Sequence, residues 1–383
     1  MNFTMTAEQE KLSAEAARFA REQLAGPCSG DVGAPTHGTL WRACVEQRFT
    51  GLPLPVAFGG RGLGLLDSIL AFEAMAAAGA DPGFIFSLGV HQFAAAAPLA
   101  SIGTAQQKED LLRAMAEGGL CGAIAISEAE AGSDSYALKA TATESADAYL
   151  LNGEKIWITN APVADVILVC ARSEDLPGAF GISCFIVRRG TQGLSIVEGP
   201  KKTGITGAPW GIVRLENVSV PADSLLGGRG GGAAVFREAM RWERCGLYAI
   251  VTGAMARSLD ACLLHVKDRH QFGRPLIDNA AVARALALMR TRLDAARLLL
   301  YRAAWLFDTG TPDDVAISLA KAYVSEAAIE NALEAQQLYG AMGTLADSPA
   351  ARFLNDMLPF RALSGPNEVH YQIAARLMHR TGA

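Results

Sequence analysis

The spacing of hydrophobic residues changes twice along the chain. Between residues 6 and 119, apolar positions recur at steps of three and four, which is the period of helices that bury one face. From about residue 121, short alternating and β-branched segments predict strands, separated by turns such as Asn152 and Gly153. From about residue 233 to the end, the helical period returns. The hydrophobic pattern therefore predicts helices, then strands, then helices.

The segregation of strands from helices decides the fold class. The predicted strands cover residues 140–146, 149–151, 154–159, 165–172, 181–188, 194–198 and 212–219. The predicted helices include residues 66–80, 104–117, 233–268, 277–307, 312–340, 347–358 and 366–380. Because the two types do not alternate, a doubly wound α/β sheet is excluded and an α+β fold is predicted. We expect an N-terminal helical domain over residues 1–119, a central antiparallel β domain over residues 120–228 and a C-terminal helical domain over residues 229–383.

The composition is that of a core-rich globular protein. The chain has 383 residues, of which 50% are hydrophobic and 19% charged, and its net charge is -5, so we expect no nucleic-acid partner. The N-terminus lacks a signal or transit pattern, and no run reaches the roughly 18 apolar residues of a membrane span, which predicts a cytoplasmic protein without a membrane partner. Seven cysteines without a CxxC pair and six histidines without metal-ligand spacing predict neither a disulfide framework nor a metal site.

A long helix that starts near residue 240 carries an acid beside an indole. Glu243 lies between Trp242 and Arg244, and the apolar residues that follow recur at helical spacing. A carboxylate at this place could be a general base, or a solvated acid in a first turn, where the helix dipole favours negative charge. The pattern alone leaves both interpretations open.

Five other segments carry more polar and glycine residues than packing requires. They are residues 125–135, 155–161, 269–274, 337–343 and 363–370. The first has small residues that let a backbone approach a ligand, and the second is a strand on which a tryptophan and a threonine share one face. The third offers cationic and amide donors at a helix end, suited to a phosphate or to capping carbonyl groups. Each segment alone also has an ordinary structural interpretation as a turn, a half-buried strand or a helix cap.

Taken together and in this order, the segments resemble the acyl-CoA dehydrogenase family. The resemblance rests on AISEAEAGSD, NGEKIWITNA, DRHQFGRPL, QLYGAMG and SGPNEVHYQIAAR and runs over essentially the whole chain. It implies an N-terminal helical domain, a central β domain and a C-terminal four-helix bundle, which agrees with the predicted order of elements. It also implies a homotetramer or dimer, with FAD bound between the β domain and the bundle and reaching a neighbouring subunit.

The resemblance assigns individual residues to the cofactor and the substrate. The FAD residues would be Ile126, Ser127, Trp157 and Thr159 at the isoalloxazine ring, Arg269, Gln271 and Phe272 at the pyrophosphate and adenine side, Gln337, Gly340 and Ala341 from another subunit, and Glu368 at the adenine end. Ser133 would lie near the acyl or pantetheine chain. Two positions depart from the family pattern: Ala341 replaces a glycine, and Pro366 replaces a threonine and so removes a backbone N–H donor.

The third departure concerns the catalytic base. Most members of the family carry a glutamate immediately before the glycine of the C-terminal motif, where this chain has Ser364. A serine hydroxyl cannot accept an α-proton at neutral pH without a base of its own. A minority of members place the base on the long helix, and counting back from Phe272 reaches Glu243, which the resemblance therefore implies as the base. Glu368 is a competing carboxylate that ranks lower.

The implied reaction is dehydrogenation of an acyl thioester. Glu243 would remove the α-proton while the β-hydrogen leaves as hydride to flavin N5. Trp242 would exclude water and raise the glutamate pKa, and Arg244 and Ser364 would complete the substrate site. The electron acceptor would be an electron-transferring flavoprotein or oxygen.

The substrate class follows from the finer pattern. Residues 240–244, 160–165 and 364–365 are most similar to carrier-protein-dependent members found in secondary metabolism and antibiotic biosynthesis, with prolyl-carrier-protein dehydrogenases the nearest. The thioester would thus be carried by an acyl or peptidyl carrier protein. One alternative is a short branched-chain acyl-CoA dehydrogenase with a CoA thioester substrate. Another is a catalytically silent flavoprotein or assembly component, which Ser364 permits and Glu243 opposes.

Overall fold

Helices form the first part of the fold. The computed structural model describes residues 4–28, 36–173 and 178–381. The N-terminal helices are α1 (Ala7–Phe19), α2 (His37–Glu46), α3 (Leu65–Ala77), α4 (Pro82–Gly89), α5 (Ala97–Ile102) and α6 (Ala105–Ala116). Thr6 caps α1: its hydroxyl accepts a hydrogen bond from the Gln9 backbone N–H, and the Gln9 side chain accepts one from the Thr6 backbone N–H.

A buried helical run connects the first part of the fold to the sheet. A π-helical segment, Val90–Ala96, joins α4 to α5. Inside it, the fully buried His91 accepts a hydrogen bond at Nδ1 from the Gly122 backbone N–H at 2.9 Å. The start of the sheet is therefore fixed to the helical core.

Eight strands form one sheet in the middle of the chain. They are β1 (Gly122–Ala125), β2 (Thr141–Ser145), β3 (Ala148–Thr159), β4 (Val166–Arg172), β5 (Ile182–Arg188), β6 (Leu194–Glu198), β7 (Trp210–Pro221) and β8 (Leu225–Leu226). Their order is β6-β7-β3-β2-β4-β5-β8, with β1 paired to β4. The pairs are antiparallel except that β1 and β2 each meet β4 in parallel. The sheet is thus mixed rather than purely antiparallel as predicted.

One predicted turn is wrong. Asn152 and Gly153 lie inside β3, which unites two predicted strands, and the actual turn is at residues 146–147. The register against β7 shifts between Leu151 and Gly153. Gly153 has a φ of +141°, and a Cβ there would come within 2.7 Å of the Ala140 Cβ. The glycine therefore serves a β-bulge and a close approach between backbones rather than a hairpin turn.

The C-terminal part is again helical. Its helices are α7 (Gly232–Gly246), α8 (Tyr248–Asp268), α9 (Ala280–Asp308), α10 (Asp314–Tyr339), α11 (Pro349–Met357) and α12 (Asn367–Thr381). A small ribbon of β9 (His270–Gln271) and β10 (Arg274–Pro275) connects α8 to α9. The predicted helix over residues 233–268 is confirmed except for a break at Leu247. The domain boundaries at residues 119 and 228 stay predictions.

Two helical runs of the structure are long and apolar. Residues 82–102 and 232–268 both meet the length and hydropathy criteria for a membrane span, each with a mean hydropathy of 1.4. Their apolar windows are 83% and 61% buried inside the fold. Such burial is also found for core helices of globular proteins.

Candidate active site

Glu243 meets Ser364 at the end of helix α7. Glu243 lies in the last turn of α7 and is 9% exposed. The Ser364 hydroxyl donates a hydrogen bond to Glu243 Oε1. The interpretation of Glu243 as a solvated first-turn acid is therefore wrong, because the residue is buried and stands at the other end of its helix. The two positions considered for the catalytic base, far apart in sequence, are in direct contact.

Burial controls the protonation of Glu243. Loss of solvent raises the pKa of its carboxyl group above the ordinary value, while the hydrogen bond from Ser364 and the positive charge of Arg244 oppose this rise. The net effect is a raised pKa, so the ionised carboxylate is a stronger base than a glutamate in water. A buried carboxylate with a raised pKa is suited to proton abstraction.

The turn that carries Ser364 is held by its backbone oxygens. Arg244 Nε donates to the Ser364 carbonyl at 3.3 Å, and His370 Nε2 lies 3.1 Å from the same oxygen. Since a carbonyl oxygen only accepts, His370 carries its proton on Nε2. Burial, together with the charges of Arg244 and Lys321, lowers the pKa of His370 to about 3, so the imidazole is neutral. Two side chains therefore fix the position of Ser364 without using its hydroxyl.

Two further residues anchor this turn. The Tyr248 hydroxyl donates to the carbonyls of Phe360 at 2.6 Å and Leu363 at 3.0 Å. Lys321, fully buried on α10, donates to the Gly365 carbonyl at 2.8 Å. The sequence analysis missed both residues, although a single lysine inside an apolar helical run is a detectable signal of a buried polar contact. Helices α8 and α10 thus both support the segment opposite Glu243.

Loop 126–128 is tied to strand β3 by a buried ion pair. Lys155, fully buried, donates to Glu128 Oε1 at 2.6 Å and to the Ile126 carbonyl at 3.1 Å. The Ile156 N–H donates to the Ser127 carbonyl at 2.9 Å. The structure therefore brings together the loop and the strand that the resemblance assigned to the flavin ring, and the pair that joins them was not predicted.

Two stacked indole rings, one exposed and one half-buried, lie next to this region. Trp157 is 64% exposed and has a φ of 60°, next to a shift in register between β3 and β7. Its ring stacks on Trp210 with centroids 4.4 Å apart and planes 16° apart. Thr159, half-buried, is the register partner of Trp210. A flat aromatic surface with a hydroxyl beside it fits a planar heteroaromatic group such as the flavin ring.

The loop of Ser133 lies beside helix α7. Ser133 itself is exposed. The ring of Tyr136, three residues further, contacts Phe236 of α7 edge-on with centroids 6.1 Å apart. The substrate-site prediction for Ser133 is therefore compatible with its place near the helix of Glu243, and Tyr136 is a neighbour that the sequence analysis did not name.

Trp242 packs into the core. Its ring contacts Phe93 and Phe307, with centroids 6.2 and 5.0 Å apart, and its indole N–H donates to Glu238 at 3.2 Å. These contacts hold α7 against the core. That Trp242 shields the Glu243 carboxylate stays a prediction.

Apart from Glu368, which follows the Ser364 turn at the start of α12 and lies near Lys321, the remaining cofactor residues lie at a different end of the bundle. All of these residues are exposed: Arg269, Gln271, Phe272, Gln337, Gly340, Ala341 and Glu368. The rings of His265 and Tyr339 stack with centroids 4.2 Å apart, which joins the end of α8 to the end of α10. The segments 269–272 and 337–341 therefore share one end of the bundle. Phe272, at the tip of the ribbon, is 97% exposed.

The fold and this site define the class of protein. Residues 6–119 match the acyl-CoA dehydrogenase N-terminal domain, residues 123–218 the middle domain and residues 230–379 the C-terminal domain. The chain belongs to the acyl-CoA dehydrogenase family and is an oxidoreductase of that family, so the predicted fold class and enzyme class are confirmed.

Three proteins illustrate what the chain is similar to over nearly its whole length. The chain is 37% identical over 377 residues to L-prolyl-[peptidyl-carrier protein] dehydrogenase of Pseudomonas fluorescens strain Pf-5, covering 98% of this chain and 99% of that protein. The solved structure of PigA with FAD and proline has a TM-score of 0.94 and 33% identity, with 99% of both chains covered. The prolyl acyl carrier protein oxidase AnaB has a TM-score of 0.93 and 30% identity, covering 98% of this chain and 100% of that one.

Proposed function

We propose that this protein is an FAD-dependent dehydrogenase of an aminoacyl thioester, with prolyl attached to a carrier protein as the favoured substrate. The observation that carries the proposal is the buried carboxylate of Glu243, held by Ser364 at the end of α7. A buried base is required to remove a weakly acidic α-proton. The similar proteins with prolyl-carrier names support the choice of substrate.

The cofactor of the proposed enzyme is FAD, which a solved relative contains. Bound FAD supplies the acceptor for the hydride that leaves the substrate. Ile126, Ser127, Trp157 and Thr159 hold its ring, because they form an anchored loop beside an exposed indole surface. The exposed segments 269–272 and 337–341 hold the pyrophosphate and adenine side, the second of them from a neighbouring subunit.

The task of Glu243 in this proposal is to take the α-proton of the thioester. Because burial raises the pKa of Glu243, the ionised, proton-accepting form is populated at higher pH than for an ordinary glutamate and is a stronger base. The rate of substrate oxidation therefore falls as the pH drops through this raised pKa. Arg244 keeps Ser364 in place while its charge favours the ionised carboxylate.

The proposed assembly is a homotetramer or dimer in the cytoplasm. Several large apolar side chains are exposed on the bundle and its connections: Leu264, Phe272, Leu333, Met342 and Leu345. Exposed apolar groups of this size favour contact with another protein surface. A second copy of the chain would cover them and bring its own segment 337–341 to the cofactor. The electron acceptor of the enzyme is an electron-transferring flavoprotein or oxygen.

Anaerobic flavin reduction tests the proposed substrate. Prolyl-loaded carrier protein is expected to bleach the visible absorption band of the bound flavin, whereas prolyl-CoA, isobutyryl-CoA and isovaleryl-CoA are expected to leave it unchanged over the same time. Carrier protein without an aminoacyl group is the control. Bleaching by the branched-chain CoA esters alone would identify a short branched-chain acyl-CoA dehydrogenase. A flavin that no thioester reduces would identify a catalytically silent flavoprotein.

Trp157→Ala is expected to weaken FAD binding about tenfold or more, because the stacked indole surface that covers the flavin ring is lost. Equilibrium dialysis of FAD against the apoprotein measures this change. Trp305, 53% exposed on α9, provides the matched control, and Trp305→Ala should bind FAD as the unchanged protein does. Equal FAD affinity for both variants would contradict the place assigned to the flavin ring.

A further inference from the structure

The hydrogen bond between Ser364 and Glu243 occupies one side of the carboxylate. Among the residues that the structure describes, Ser364 is the one that donates a hydrogen bond to this group, and it donates to Oε1. Oε2 remains for the substrate proton. A carboxylate that is bonded through one oxygen cannot rotate freely about its terminal torsion, so the second oxygen keeps one direction.

The backbone at Ser364 is held in a conformation that a serine rarely adopts. Its φ is 55°, in the left-handed region, and the next residue, Gly365, has a φ of +100°. A non-glycine residue in this region is disfavoured and persists where its surroundings hold it. Here the hydrogen bonds from Arg244, His370 and Lys321 to the carbonyl oxygens of residues 364 and 365 stabilise this conformation.

The strained turn aims a hydroxyl group at the carboxylate. A turn that needed only its shape would be better served by glycine, which adopts a positive φ at no steric cost. Among the described residues, the hydrogen-bond partner of the Ser364 hydroxyl is Glu243. The contacts therefore indicate a task for the hydroxyl besides the formation of the turn.

We propose that Ser364 is a positioning residue for Glu243, which fixes the direction of the carboxylate and stabilises its ionised form through the donated hydrogen bond. This inference rests on the proposed role of Glu243 as the base. Ser364 itself takes no proton from the substrate. Loss of the hydroxyl leaves a base that is less well directed and harder to ionise, because burial still opposes the negative charge and the donor that offsets it is gone.

Ser364→Gly separates this role from a structural one. Glycine removes the hydroxyl and suits the left-handed backbone, so the folded protein should be at least as stable as the unchanged protein. With prolyl-loaded carrier protein, we expect the turnover number to fall about tenfold to a hundredfold. We also expect the acidic limb of kcat/KM against pH to move upward by about one pH unit.

Two further variants make the result decisive. Ser364→Ala also lacks the hydroxyl and should shift the pH profile in the same direction, with some loss of thermal stability because alanine is strained at this φ. Ser318→Ala is the matched control, because Ser318 is a buried serine on α10 whose hydroxyl has no hydrogen-bond partner among the described residues. Its pH profile should stay unchanged.

The outcomes distinguish this inference from the proposed function. If Ser364→Gly keeps the pH profile and the turnover number of the unchanged protein while Glu243→Gln is inactive, Ser364 has no positioning role and the base assignment stands. If the activity of Ser364→Gly falls only in proportion to lost thermal stability, the serine is a structural residue and the inference is overturned. If Glu243→Gln stays active, the proposed base itself is wrong.

Discussion

Replacing Glu243 with glutamine is expected to lower the rate of flavin reduction by prolyl-loaded carrier protein about a thousandfold or more. The amide has the same shape and still accepts the hydrogen bond from Ser364, but it cannot take a proton. General bases contribute about a hundredfold to ten-thousandfold in enzymes, and no second acid in contact with this position replaces the lost one among the described residues. Stopped-flow absorbance under anaerobic conditions measures the rate, and dialysis measures retained FAD.

Glu238 offers the matched control for this experiment. It lies on the same helix, is half-buried and contacts the Trp242 indole rather than Ser364. In the Glu238→Gln variant, the substrate should therefore reduce the flavin at nearly the wild-type rate. A Glu243→Gln variant that binds FAD and keeps more than about a tenth of the original rate would falsify the assignment of the base.

The same substitution has a pH-dependent effect on stability. Because the folded-state pKa of Glu243 lies above its ordinary value of 4.5, the folded protein holds this proton more tightly than the unfolded chain. Stability is therefore lost as the pH rises from 4.5 through the raised pKa. Removing the ionisable group should raise the melting temperature of the apoprotein relative to the unchanged protein at about pH 8, with little difference at about pH 4.

Lys155→Met is expected to lower the free energy of unfolding by about 3–5 kcal/mol and to abolish FAD retention. Methionine fills the space of the aliphatic part of the lysine side chain. It leaves the buried Glu128 carboxylate without the positive charge that pairs with it. It also leaves the Ile126 carbonyl without its donor, so the loop assigned to the flavin ring loses its anchor on β3. Urea unfolding of the apoprotein and FAD titration measure the two effects.

The neighbouring loop contains a control with the same chemistry in a different environment. Lys139 pairs with Glu130, and both side chains are 74% exposed, against 0% and 10% for Lys155 and Glu128. Lys139→Met should leave the free energy of unfolding nearly unchanged, because water screens an exposed pair. Equal losses for the two variants would show that the buried pair does not hold the loop.

The order of elements was predictable because burial on one side leaves a period in the sequence. Helix α9 was predicted over residues 277–307 and runs over Ala280–Asp308, since the apolar stripe begins and ends with the helix itself. The break at Leu247 left no such signal. A helix that continues after one interrupted turn keeps nearly the same apolar face, so the two helices give one continuous pattern.

Long-range contacts were not predictable from the pattern. The family resemblance implied a base at Glu243 and excluded one at Ser364, but it did not show that the two side chains are in contact. That contact depends on a turn fixed by Tyr248, Lys321 and His370, and the sequence pattern does not report such a turn. Lys155 was visible as one polar residue in a strand. Its buried partner Glu128 belongs to another segment, and periodicity does not report such pairs.

The contact between Ser364 and Glu243 also limits the routes by which a lineage could move its carboxylate from one position to the other. If residues 243 and 364 change one at a time, the intermediate sequence has either no acid at the two positions, and so no base, or an acid at both. Two carboxyl groups at hydrogen-bonding distance in a buried site share one proton, and the pKa of one rises strongly. The intermediate with two carboxyl groups keeps a base, whereas the intermediate with none does not, so the route through two acids is the one that retains activity, with its pH dependence shifted to higher pH.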